Sequence, residues 1–196
     1  MPTDPQVATF CRDVSERFGP GGSAGMTEST AIKYVELGNE TTLDPRFQGT
    51  DAAFTAFASA YTRDYARRVK TCAQNLQRGV EVLAQGPSHY ATYANGHRRQ
   101  TWIDEMYAAV PDLNAYRGGW TIHPYGPEDY EMDNLQRDLA GQDAAGEYFL
   151  TEYGIATDDG TCLGHPLYPM YNTGWNCRIT YGEAAAGLRR RSSGGR

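Results

Sequence analysis

The sequence predicts an α/β protein, on three observations. Stretches with helical periodicity alternate with short β-branched or aromatic runs in the order α-βα-βα-βα-βα. The connections between successive runs have crossover length, and 196 residues at 40% hydrophobic and 21% charged suffice for one domain with a core. Strands joined through helices pair in parallel with right-handed crossovers. Two architectures accommodate this order: an open doubly wound sheet, or an arc of a (β/α)8 barrel.

The first helix is expected over Asp4–Phe18, where Val7, Phe10, Cys11, Val14 and Phe18 recur at three- and four-residue steps. Thr3 or Asp4 can cap it, Pro5 suits its first turn, and Gly19-Pro20-Gly21-Gly22 ends it. Ile32-Lys33-Tyr34-Val35-Glu36-Leu37 reads as the first strand, stopped by Gly38. Phe54, Phe57, Ala58, Tyr61, Tyr65, Val69, Cys72 and Leu76 then mark a long helix, with Thr50 or Asp51 as its cap. Val80-Glu81-Val82-Leu83-Ala84 is the second strand. Trp102, Ile103, Met106, Tyr107 and Val110 form a helical face that Pro111 follows, and Gly118-Gly119-Trp120-Thr121-Ile122-His123 is the third strand. A weaker helix over 134–140 leads to the fourth strand, Glu147-Tyr148-Phe149-Leu150-Thr151-Glu152. A last helix starts at Thr180, which has capping-box spacing to Glu183, and runs to Leu188. Residues 1–188 are thus one domain, and the basic, low-complexity tail 189–196 is expected to be disordered.

Charge and motif content exclude several classes. With 24 acidic side chains against 18 basic ones the net charge is −6, which argues against a duplex-DNA partner held by bulk charge. No run of about 18 apolar residues occurs, and the opening MPTDPQVATF lacks the basic and apolar regions of a secretory signal, so no membrane partner is expected. The four histidines lack metal-ligand spacing, and neither dinucleotide-binding nor phosphate-loop glycine motifs occur, so no metal or cofactor is expected. Gly21-Gly22-Ser23-Ala24-Gly25 matches G-x-S-x-G, but it follows a helix and precedes a strand, the reverse of a nucleophile elbow. It reads as a flexible loop on the underside of a barrel. Asn39-Glu40-Thr41 is formally a glycosylation sequon in the middle of the candidate cleft.

Cys11 and Cys72 lie on apolar helical faces and read as core residues, which leaves Cys162 and Cys177 as the two able to pair. A bond closing their loop of about 15 residues would add about 3 kcal/mol in an oxidising compartment; two free thiols is the alternative.

Both architectures bind ligands at the carboxyl ends of the strands. Those ends carry Asn39 and Glu40, then Gln85 and His89, then His123 and Tyr125, then Glu152 and Tyr153. Glu40 and Glu152 are two carboxylates on one edge of the sheet, the pair that glycosidic cleavage with retention needs about 5–5.5 Å apart. In a flat sheet of sequence-ordered strands they would stand three spacings, about 14 Å, apart; curling the sheet turns both inward. The plainer alternative is two ordinary exposed acids. The loop after Glu152 adds Tyr168, Tyr171 and Trp175, flat side chains of the kind that stack on sugar rings.

Tyr34-Val35-Glu36-Leu37-Gly38-Asn39-Glu40, Ile122-His123-Pro124-Tyr125 and Leu150-Thr151-Glu152-Tyr153-Gly154, in that order, resemble the clan A retaining glycoside hydrolases. The resemblance spans about residues 7–188. It implies a partial TIM (β/α)8 barrel of four βα units, strands four to seven, with strands one to three and eight missing. It also implies hydrolysis of O-glycosidic bonds in an oligo- or polysaccharide by double displacement, without a cofactor. Glu40 would be the general acid/base and Glu152 the nucleophile. Asn39 would bind the sugar 2-hydroxyl, Tyr125 would orient Glu152, and His123, Tyr153 and Trp175 would line the substrate site.

The sequence departs from the clan's pattern in three ways. Thr41 stands where proline is frequent, and the platform tryptophan of strand eight and the arginine of strand two have no counterpart. Half a barrel exposes two sheet edges and one interior face. The resemblance therefore implies a fragment, weakly stable and of little turnover alone, with a polypeptide supplying the absent strands as a partner and with full-length relatives secreted. Two alternatives remain open: a non-catalytic carbohydrate-binding or degenerate barrel remnant, and an open-sheet α/β protein of unrelated function.

Overall fold

The computed structural model describes residues 2–39, 52–86, 99–123 and 148–151. Within them the element order is α1 (Asp4–Phe18), β1 (Tyr34–Leu37), α2 (Ala52–Asn75), β2 (Glu81–Gln85), α3 (Arg99–Ala109), a 3-10 turn (Leu113–Ala115), β3 (Gly119–Ile122) and β4 (Tyr148–Leu150). At the start of α1 the Thr3 N–H donates to Gln6 Oε1 at 2.8 Å, a reciprocal cap across one turn, and Pro5 occupies a position where an amide hydrogen has no helical partner.

Beyond α1 the glycine-rich segment is fastened to the helix it leaves. Ser23 N–H donates to Glu16 O at 3.0 Å and Ala24 N–H to Arg17 O at 2.9 Å, so this segment is tied down where a flexible loop was expected. These bonds satisfy carbonyls of the last helical turn, which otherwise lack partners. The same need explains why β1 begins at Tyr34, two residues later than the apolar run predicts: the Ile32 N–H donates to Phe18 O at 3.0 Å and so holds α1 instead of the sheet.

The four strands form one parallel sheet in the order β1-β2-β3-β4. Each neighbouring pair in space is also a neighbouring pair in sequence. Side chains alternate between the two faces. Val82 and Ala84 of β2 and Trp120 of β3 join one core with Val7 and Cys11 of α1, Tyr65, Val69 and Cys72 of α2, and Trp102, Ile103 and Met106 of α3. All three helices therefore cover the same face. The other face carries Tyr34 and Glu36, Leu83 and Gln85, Thr121 and His123, then Phe149 and Thr151.

That second face is concave. The rings of Tyr34, on one outer strand, and Phe149, on the other, have centroids 4.7 Å apart. Three flat strand spacings would hold their backbones about 14 Å apart with side chains standing perpendicular to the sheet, so the contact requires the sheet to curl.

One expectation is overturned on the helical side. Cys11 and Cys72 are joined as a disulfide with Cα atoms 5.3 Å apart, across 61 residues of sequence. Each cysteine lies in the buried stripe of its helix, as the periodicity indicates, but periodicity is silent on which stripe faces which. Packing α1 on α2 brings the two sulfurs together in the core. Cys162 and Cys177, the pair the spacing favoured, lie outside the described residues, as do the helices expected at 134–140 and 180–188 and the tail 189–196.

Tyr65 of α2 enters the sheet at its carboxyl edge. The β1/β2 ladder begins with Glu81 N–H donating to Lys33 O, and in a parallel ladder of this register the Gln85 N–H would later donate to Leu37 O. The Tyr65 hydroxyl stands between those two groups instead, accepting from Gln85 N–H at 2.6 Å and donating to Leu37 O at 2.7 Å. This parts β1 and β2 just before Gly38, and both backbone groups stay satisfied.

Candidate functional site

The carboxyl ends of β1, β3 and β4 meet on the concave face through one imidazole. His123 is buried one residue beyond β3, and its Nε2 lies 3.2 Å from Glu36 Oε1 on β1 and 2.9 Å from Thr151 Oγ1 just beyond β4. A carboxylate only accepts hydrogen bonds, so the nitrogen facing it carries the proton. Burial pushes the Glu36 carboxyl upward, but the hydrogen bond from His123, the nearby polar side chains of Thr121 and Thr151 and the electrostatic influence of His123 outweigh it. The group is held below its ordinary value of 4.5. Glu36 is thus an ionised carboxylate on the floor of the concavity.

Threonine, histidine and glutamate within hydrogen-bond reach invite comparison with a nucleophile–base–acid triad. The geometry denies it. In a triad the base uses one ring nitrogen toward the nucleophile and the other toward the acid, so that a proton taken from one side is balanced by the other. Here Glu36 and Thr151 both address Nε2, which leaves no relay.

Of the residues singled out in the sequence, His123 stands in this cluster. Gln85 is buried on the same face, with its amide held by Tyr65. Asn39 is exposed immediately past Gly38, whose φ of +99° lies where side-chain-bearing residues are strained, so glycine permits the chain to turn off the strand there. Glu40, His89, Tyr125, Glu152, Tyr153, Tyr168, Tyr171 and Trp175 lie outside the described residues. Glu36, Thr121, Thr151 and Tyr65 had not been singled out. A signal for the first three exists: parallel strands covered on both faces read as continuous apolar runs, whereas Tyr34-Val35-Glu36-Leu37 alternates. A polar residue at every second position marks a face that, among the described residues, no helix covers.

Among the described residues no cluster of three or more histidine, cysteine or acidic side chains could hold a metal ion, and no helix is long and apolar enough to cross a membrane. Comparison with protein-family models, with curated proteins and with solved structures returned no match.

Proposed function

We propose that the chain is a retaining glycoside hydrolase acting on O-glycosidic bonds of an oligo- or polysaccharide, and that its sheet is the arc of a (β/α)8 barrel contributing strands four to seven. The observation that carries the reading is the shared imidazole. Glu36, four residues before Glu40, and Thr151, directly before Glu152, lie within 3.2 Å of the same His123 nitrogen. The sheet is curled enough for the two outer strands to act on one small volume, which a flat sheet would forbid. The sequence-ordered parallel strands and the confinement of α1, α2 and α3 to one face support the barrel arc, since a doubly wound sheet carries helices on both faces.

In this reading Glu40 protonates the departing glycosidic oxygen while Glu152 attacks the anomeric carbon. A covalent glycosyl-enzyme results, and water, deprotonated by Glu40, releases it with net retention. Asn39 binds the sugar 2-hydroxyl, an interaction that strengthens as positive charge builds on the anomeric carbon, and His123 lines the sugar subsite. Tyr125 orients Glu152, and Tyr153 and Trp175 offer aromatic surface to the substrate. The remaining strands come from a further polypeptide segment.

The test is trapping with 2-deoxy-2-fluoro aryl glycosides followed by peptide mass analysis. Labelling confined to Glu152, lost in Glu152→Gln, is expected. Glu40→Ala should depress kcat/KM of substrates with poor leaving groups by about 10²–10⁴-fold while sparing kcat/KM of dinitrophenyl glycosides, whose departure needs no proton. The glycosyl-enzyme should accumulate, because its hydrolysis has lost the base. Absence of labelling together with retained binding of oligosaccharides would replace this reading by the non-catalytic carbohydrate-binding one.

A further inference from the structure

We propose that Glu36 is a positioning residue of this site: its carboxylate fixes the His123 imidazole in one tautomer and one orientation, and so locks the carboxyl ends of β1, β3 and β4 into the spacing that a sugar-sized cleft requires. The assignment deepens the glycosidase reading and rests on it for its consequence, but its structural half stands on geometry alone.

The observations are specific. Glu36 points from the interior of β1 to the concave face, three-quarters shielded from water, with a side-chain exposure of 22%, and its Oε1 is 3.2 Å from His123 Nε2. Two further strands meet it through one ring: His123 beyond β3 contacts Glu36, and the same nitrogen lies 2.9 Å from Thr151 Oγ1 beyond β4. An ionised carboxylate taken this far from water is retained only where polar partners replace the lost hydration, and here the His123 Nε2 does so directly. Removing it would leave Thr151 as the partner of Nε2, and a hydroxyl can accept from a protonated nitrogen or donate to a bare one, so neither tautomer is fixed. The ring would be free to turn, and displacements of about 1 Å at a reacting centre cost up to about a hundredfold in rate.

Glu36 does not reach past His123 to act on substrate in this account; it acts through the ring. It is also distinct from the acid/base role assigned to Glu40. Two substitutions separate reach from charge. Glu36→Asp keeps the charge and withdraws it by one methylene, and Glu36→Gln keeps the reach and an acceptor oxygen but removes the charge.

The experiment is nitrogen-15 NMR of histidine-labelled full-length chain, resolving the His123 ring nitrogens by comparison with His123→Gln, alongside kinetics on aryl glycosides. The wild type is expected to show Nε2 protonated and a slowly exchanging ring proton. Glu36→Asp and Glu36→Ala are expected to lose that slow exchange and to mix tautomers; Glu36→Gln is expected to keep the tautomer with faster exchange. Turnover should fall in the order Gln then Ala, by up to about a hundredfold, mainly in kcat. Circular dichroism and the thermal midpoint of Glu36→Gln report whether the fold persists.

An unchanged ring-nitrogen spectrum in Glu36→Ala overturns the inference. The spectral change without any hydrolysis or sugar labelling in the wild type upholds the positioning of His123 and sinks the glycosidase reading instead.

Discussion

The two faces of the sheet are built on opposite principles. The helix-covered face is apolar and covalently closed: Trp102, Ile103, Met106, Val69 and Trp120 are fully buried there, and the Cys11–Cys72 bond ties α1 to α2 within the same cluster. The concave face, no more than about 10 Å away, gathers the polar side chains of Gln85 and Thr121 beside His123, whose ring nitrogen meets both Glu36 and Thr151. Apolar packing is non-directional and tolerates small shifts, whereas a hydrogen-bonded cluster works only at defined distances. The helical face therefore stabilises the strands, and the polar face uses their ends. Perturbing one face at a time tests that division.

The largest effect is expected from removing the disulfide. For a closed loop of 61 residues the loss of unfolded-state restriction corresponds to about 4 kcal/mol. The double substitution Cys11→Ala, Cys72→Ala should lower the unfolding free energy by about that much in urea titrations. The His123 ring-nitrogen spectrum of the folded variant should stay as in the wild type. A loss of stability accompanied by an altered spectrum would show that the two faces are not separable.

Tyr65 is where the faces touch, and its substitution ranks second. Burial pushes its hydroxyl above the ordinary tyrosine value, with a smaller contribution from the Glu36 charge, so it remains a neutral donor to Leu37 O while accepting from Gln85 N–H. In Tyr65→Phe the ring still holds the strands apart, so the ladder cannot close across the gap. One buried and one partly buried backbone group lose their partner, at a cost of about 2 kcal/mol. Hydrogen exchange should report faster exchange at the Gln85 amide with little change at Glu81, whose amide donates to Lys33 O at the opposite end of β2. Equal acceleration along β2 would contradict the wedge.

These contrasts also explain what could be read from the chain beforehand. Helical stripes such as Val7, Cys11 and Val69, Cys72, and the short apolar strand runs, lie close to where periodicity puts them, because local propensity and burial on one face agree. Relations between elements were not legible. The partner of Cys11 depends on how α1 sits on α2, and the role of Tyr65 depends on its reaching the end of a ladder formed by residues on either side of it in sequence. His123 drew attention as a strand-end histidine, whereas Glu36 lies inside the first strand run and carried no reading of its own. Nothing local distinguishes an exposed glutamate from one that faces a histidine 87 residues away.

A smaller effect is expected across the concave face itself. Tyr34→Ala removes the ring that meets Phe149, and pairs of this kind contribute about 0.5–1.5 kcal/mol beyond the area they bury. The stability change should be modest, but the consequence should reach the polar cluster, because the contact holds the outer strands in their curl. Broadening or splitting of the His123 ring signals in Tyr34→Ala is expected, with the unfolding midpoint only a few degrees lower; a sharp, unshifted spectrum would mean that the helices alone maintain the curvature.

The smallest effect lies in the pH dependence of stability, and its sign follows from the Glu36 network. The folded carboxyl titrates below its ordinary value of 4.5 because the hydrogen bond from His123, with the polar surroundings supplied by Thr121 and Thr151, more than offsets burial. A group depressed in the folded state adds stability above the unfolded value, and that stability drains away as pH falls through the folded value. Glu36→Gln cannot ionise. The difference in unfolding free energy between wild type and this variant should therefore be level above about pH 5 and shrink steadily below about pH 4, amounting to about 1 kcal/mol at most for a partly shielded group. Thermal melts at closely spaced pH values from 3 to 7 resolve this. A difference that grows on acidification would mean that the carboxyl is protonated in the folded protein, donating to its neighbours where the geometry around His123 requires it to accept.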